Sequence, residues 1–167
     1  MKKTPFLLAI ACISLALTSA FAQQKTSFAG TWKIDVAQSD FGSDPAPKSI
    51  TVTILKDTPQ MLSWRVSGVD AKDQHFSYSW SGPEDGSMHP VTEDGKAGPD
   101  MQSAKREQDG TVLRHNEDSD GSSFDARSTI SPDGNTITET TTMKSKDGKE
   151  SKQHYVYHRA SGSMSQH

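Results

Sequence analysis

SFAGTWKID, residues 27–35, places a Gly-x-Trp at the head of an alternating run. Trp32, Ile34 and Val36 fall on one face; Thr31, Lys33 and Asp35 fall on the other. Period two of this kind marks a half-buried β-strand. The chain is only 32% hydrophobic and has three tryptophans. A tryptophan on the inner face of the first strand therefore predicts that this strand anchors a core.

Upstream of this strand the composition changes. Lys2 and Lys3 precede an apolar run from Phe6 to Leu17, which is followed by Ala20-Phe21-Ala22. A basic start, a short apolar centre and a small-x-small end form a secretory signal peptide. The expected boundary lies between Ala22 and Gln23, giving a periplasmic or secreted protein. The run is too short for a permanent membrane span, and no second one follows. Cys12 could be read as a lipidated cysteine, but the apolar run continues past it to Leu17, where a lipoprotein cysteine should end it. Residues 23–160 are read as one domain and 161–167 as a disordered tail. Cys12 is the only cysteine, so the mature domain has no disulfide and must rely on burial and backbone pairing. Losing Lys2 and Lys3 makes the net charge of −3 more negative by two. No basic patch with interleaved aromatics occurs, which argues against a nucleic-acid partner.

Downstream, segments of alternating pattern recur. SITVTILK aligns Ile50, Val52 and Ile54, and LSWRVSGV aligns Leu62, Trp64 and Val66. HFSYSW aligns Phe76, Tyr78 and Trp80, and FDARSTI aligns Phe124, Ala126, Ser128 and Ile130. TITETTTM aligns Ile137, Glu139, Thr141 and Met143, and KQHYVYHR aligns Tyr155, Tyr157 and Arg159. Turn signals separate them: Gly68-Val69-Asp70, Asp85-Gly86, Asp94-Gly95, Asp109-Gly110, Asp120-Gly121, Asp133-Gly134 and Asp147-Gly148. Asp-Gly favours tight hairpins in which both central residues take positive φ. No stretch has a helical period. Residues 83–100, rich in Gly, Pro and acids, read as a looser excursion with a short strand near Met88–Thr92. Strands joined in order by short turns make a meander, and closing it removes the exposed edges. The expected fold is all-β: one antiparallel up-and-down β-barrel of about 8–10 strands.

With that ladder behind it, FAGTWKID resembles the first-strand signature of the calycin superfamily, which includes lipocalins and fatty-acid-binding proteins. DVAQSDFGSDPAPKSITVTI and HPVTEDGKAG resemble bacterial secreted lipocalin-like domains. The resemblance implies that Trp32, after Gly30, closes the barrel floor under a basic side chain of the last strand. Arg159 is the candidate. It also implies a binding module for a small hydrophobic or amphipathic ligand. Fatty-acid-binding proteins carry a helical pair between the first two strands. Here AQSDFGSDPAPK, with two prolines, occupies that place, so no helical lid and an open mouth are expected.

Site chemistry points the same way. His154 and His158 share a strand face but stand ~13 Å apart, too far for one metal ion. NEDSDGSSFD, residues 116–125, places Asp118, Asp120 and Asp125 around Gly121 but lacks the closing Glu of a calcium loop. No Gly-x-Ser-x-Gly elbow occurs. Neither a metal, a cofactor nor an enzymatic role is expected. Trp64, Phe76, Tyr78 and Trp80 fall on two strands that should be adjacent, forming an aromatic wall. Glu139 either faces inward with Ile137 and Met143 or yields that place to the threonine row; the first is taken as the expectation. Arg114 and Arg127 are left open. The expected ligand site is thus Trp64, Phe76, Tyr78, Trp80 and Glu139, in a monomer. The competing reading is an envelope or extracellular protein-interaction module whose barrel is filled.

Overall fold

A computed structural model of the chain describes residues 26–160. The expected leader, residues 1–22, and the expected tail, 161–167, lie outside the described residues. Ten strands follow in order: β1 (Gly30–Ile34), β2 (Ser49–Thr58), β3 (Met61–Val69), β4 (His75–Gly82) and β5 (His89–Glu93). Then come β6 (Lys96–Arg106), β7 (Val112–Glu117), β8 (Ser123–Ile130), β9 (Thr136–Lys144) and β10 (Glu150–Arg159). Each strand pairs antiparallel with its sequence neighbours, and β1 pairs with β10 to close the barrel. No helix of the described residues is long and apolar enough to cross a membrane.

Two strands, β6 and β7, are not readable from alternation alone. β6 runs through Gly98 and Pro99, which the sequence presents as loop. The β5–β6 register shifts between Pro90 and Thr92, and pairing with β7 begins only at Met101. Pro99 therefore sits in a bulge, where its missing N–H breaks no ladder bond. This corrects the looser excursion expected over 83–100: its second half is a hairpin. A second bulge lies in β2, where Ile54 pairs with Trp64 and Lys56 with Ser63. Leu55 is the extra residue and stays 61% exposed. The bulge also reverses the strand's phase, so Asp57 turns inward.

The turns differ from expectation too. Only Asp94-Gly95 has both residues at positive φ, 47° and 76°. At Asp109-Gly110, Asp120-Gly121 and Asp147-Gly148 the glycine alone is left-handed, and each turn has three residues between its closing hydrogen-bonded pair. Asp133-Gly134 shares the lone left-handed glycine in a loop one residue longer. The aspartate instead accepts hydrogen bonds within the loop. The hydroxyls of Ser122, Ser131 and Ser145, and then backbone N–H groups, hold Asp120, Asp133 and Asp147 below their ordinary carboxyl values. Gly68-Val69 is not a turn but the end of β3; the chain reverses over Asp70–Gln74.

The floor gathers around Trp32, which is fully buried and donates from Nε1 to the Phe28 carbonyl at 2.8 Å. Arg159 pairs with Trp32 across β1–β10, and its Cζ lies 4.1 Å from the indole centroid. Its guanidinium donates to the carbonyls of Gly134 (2.7 Å), Ala29 (2.7 Å) and Ser27 (3.0 Å). Arg106 forms a second floor cluster. It binds Glu84 through Nε (2.7 Å) and Nη2 (2.5 Å), reaches Asp57, and covers the Phe28 ring at 5.3 Å. Asp57 also accepts from Ser27 Oγ and the Phe28 N–H. Burial works to lower the Arg106 pKa, but Glu84 and Asp57 outweigh it and raise it.

Gly30 gives the first testable consequence. Its φ is +130°, and a Cβ there would stand 2.5 Å from Arg159 Nη1. Gly30→Ala is expected to cost about 1–3 kcal/mol from backbone conformation alone, with a further loss as Arg159 is displaced. Urea unfolding of the two proteins measures it; equal midpoints would mean that the clasp does not need the glycine.

Candidate functional site

Above the floor the barrel is not filled. A cavity of about 390 Å³ runs towards the end where the β1–β2 connection crosses. On one side it is apolar. Ile50, Val52 and Ile54 of β2 and Leu62, Trp64 and Val66 of β3 project inward because alternation places them on one sheet face. The other side, from β7 to β10, carries the polar groups. Val112↔Ser128, Ser128↔Glu139 and Glu139↔Tyr155 are successive register pairs, so these side chains share the inner face.

Arg114 and Glu139 form the polar centre. Arg114 Nη2 donates to Glu139 Oε2 at 2.5 Å, and Ser128 Oγ donates to the same oxygen at 2.6 Å. The guanidinium lies 5.8 Å from the Trp64 ring and 5.8 Å from that of Phe124. Burial pulls the Arg114 pKa down, but Glu139 outweighs it and the net shift is upward. Burial pushes the phenols of Tyr155 and Tyr157 up, and the charge of Glu139 pushes further than Arg114 pulls back. Burial also raises Tyr78, where Arg114 opposes it more strongly than Glu139 assists.

Two residues that line the cavity each have a buried polar atom with no protein partner: Trp64 Nε1 and Thr141 Oγ1. Both residues are 4% exposed. An indole N–H is a donor only, and such groups are seldom left unpaired in a finished interior.

The mouth is crossed by a strap, residues 35–48, that contains no helix. Asp40 and His154 exchange backbone hydrogen bonds at 2.7 and 2.8 Å, fixing the strap to β10. Phe41 packs on Tyr155 with ring centroids 5.5 Å apart. Tyr155 Oη donates to Gln153, whose Nε2 donates to Asp44 at 2.7 Å and to the Phe41 carbonyl at 3.2 Å. Phe41, Pro45 and Pro47 thereby enter the cavity wall. The open mouth expected for lack of a helical lid is corrected: two prolines exclude a helix, but an extended strap covers part of the opening.

The five residues expected to bind ligand do not all meet here. Trp64, Tyr78 and Glu139 line the cavity; Phe76 and Trp80 do not. Trp80 sinks into the floor and donates to the carbonyls of Gln102 (3.0 Å) and His89 (3.2 Å). Phe76 lies against Gly68, where a Cβ would stand 2.6 Å from its Cζ. Alternation had put all four aromatics on the inner face but could not give their depth along the barrel. Arg114, Phe124, Tyr155, Tyr157 and the strap were missed as site residues. A signal existed for the tyrosines, since they alternate with Arg159: an inward Arg159 carries both inward. Among the described residues, no group of three or more His, Cys, Asp or Glu is placed to hold a metal ion.

Closed ten-strand meander, tryptophan floor and inner cavity together define an antiparallel up-and-down β-barrel with a calycin-like fold. A mutant of the fluorescent protein UnaG, known from its crystal structure, is similar over 81% of this chain and 97% of its own, with a TM-score of 0.53 and 12% identity. At that identity the likeness is one of fold. No protein-family model and no curated protein matches the chain.

Proposed function

We propose that this protein is an extracytoplasmic, lipocalin-like binding protein, monomeric and non-enzymatic, that holds a small hydrophobic or amphipathic molecule inside its barrel. The observation that carries the reading is the cavity itself. Its volume of about 390 Å³ lies within the ~300–1,000 Å³ range of small-molecule pockets. Apolar walls with a few convergent polar groups are the usual composition of such sites. The location rests on the leader-like residues 1–22, with cleavage after Ala22. The bacterial lipocalin-like character rests on the sequence resemblance. The protein-contact reading required a barrel filled by side chains, and no observation favours it.

Binding should be visible in tryptophan emission. Titration of the purified, delipidated protein with the uncharged dye Nile red is expected to saturate and to change that emission. Trp64→Phe should remove most of the change, because Trp64 lines the cavity. Trp80→Phe should leave it, because Trp80 lies below. Absence of saturable binding would sink the reading, and equal loss in both variants would move the site out of the cavity.

A further inference from the structure

Among the described residues, the charged side chains lining the cavity are Asp44, Arg114 and Glu139. The only cation is therefore already matched by Glu139 at 2.5 Å. A carboxylate entering the cavity would bring a second negative charge to one guanidinium, and Asp44 would repel it at the mouth. Glu139 is engaged by Arg114 and Ser128. A carboxylate would therefore surrender its hydration without a free counter-charge, which is the costly form of burial.

Hydrogen-bond donors, by contrast, are in surplus. Glu139 engages Arg114 through Nη2, and a guanidinium has five N–H donors in all. The surroundings thus offer donors to an acceptor oxygen while offering no uncompensated positive charge.

We propose that the cavity selects an uncharged, mainly apolar molecule bearing a carbonyl or similar acceptor oxygen, and discriminates against carboxylate amphiphiles of the same length. This rests on the ligand-binding reading above and names the class of molecule bound. The internal Arg114–Glu139 pair acts as a charge filter: it supplies polarity for orientation while holding the net charge of the centre at zero.

The test compares two probes matched in chain length, 2-dodecanone and dodecanoate, by displacement of Nile red from the purified protein. The ketone is expected to bind at least ~10-fold more tightly than dodecanoate. Dodecanoate binding as tightly as the ketone, or more tightly, would overturn the proposal. Glu139→Gln frees the guanidinium charge and should raise dodecanoate affinity by ~10-fold or more. No gain for dodecanoate in a folded Glu139→Gln protein would also count against it. Should that variant fail to fold, the wild-type ranking decides alone. Nile red bound with no preference for the ketone rejects the charge filter and leaves the ligand-binding reading standing. Failure of Nile red and both amphiphiles to bind rejects both.

Discussion

Trp32→Ala is expected to lower stability by about 3–5 kcal/mol, the range for truncating a buried large aromatic. The indole is fully buried at the floor, so its removal opens a void that neighbouring β-strands cannot collapse to fill. Its Nε1 bond to Phe28 goes with it, loosening the segment that leads into β1. Domains of this size are stable by only about 5–15 kcal/mol, so Trp32→Phe provides a milder companion. Arg159→Met tests the other half of the clasp. A guanidinium 4.1 Å from the ring centroid is worth about 0.5–2 kcal/mol as a cation–π contact. A double-mutant cycle on urea midpoints should return a coupling of that size between Trp32 and Arg159. Strict additivity would show that Arg159 closes the barrel through its three carbonyl bonds and not through the indole.

Arg106→Met should be about as damaging. Asp57 and Glu84 have side chains only 6% and 2% exposed, and Arg106 is the cation between them. Removing one member of a buried ionic cluster strands the others, at a typical cost of about 3–5 kcal/mol. The same physics makes an unusual second expectation. Replacing all three with Arg106→Met, Asp57→Asn and Glu84→Gln should recover most of the loss, because nothing charged is then left unpaired and the Phe28 N–H keeps an acceptor. Denaturant unfolding of the single and triple variants checks both. A single-variant loss below about 1 kcal/mol would mean that water reaches the carboxylates, and a triple variant no better than the single would mean that the cluster also fixes the floor's geometry. Asp57 illustrates why such a cluster escapes a sequence reading. Simple alternation from Ile54 sends Asp57 outward, and only the bulge at Leu55 returns it to the interior.

The architecture was legible wherever side chains alternate strongly, as in β2, β3, β4 and β8 to β10. β6 was hidden because Gly98 and Pro99 are loop residues everywhere except in a bulge. β7 was hidden because its inner face, Val112, Arg114 and Asn116, is mostly polar. Arg114 has nothing in its neighbourhood to mark it as internal. Its partner Glu139 lies two strands away, and only the registers β7–β8 and β8–β9 bring them together. The side of Glu139 was only half readable: Ile137 and Met143 share its face, but the threonine row opposite left the choice open. Depth along the barrel was not readable. Trp64 and Trp80 are register partners on adjacent strands, yet one lines the cavity and the other packs beneath it. Strand tilt, invisible to a one-dimensional pattern, separates them.

β10 draws together parts that lie far apart along the chain. It seals the barrel against β1, lays Arg159 over Trp32, anchors the strap through His154 and contributes Tyr155 and Tyr157 to the cavity. The order of synthesis therefore matters. A chain emerging from its N-terminus makes the tryptophan and the strap first, and neither has a place to rest until residues near 159 arrive. Contacts across so much intervening sequence close slowly, since loop entropy must be overcome before they form. Until then both edges of the growing sheet remain unpaired, a state prone to association with other chains. The container and its contents share one deadline: no enclosed volume exists until the last strand is in place.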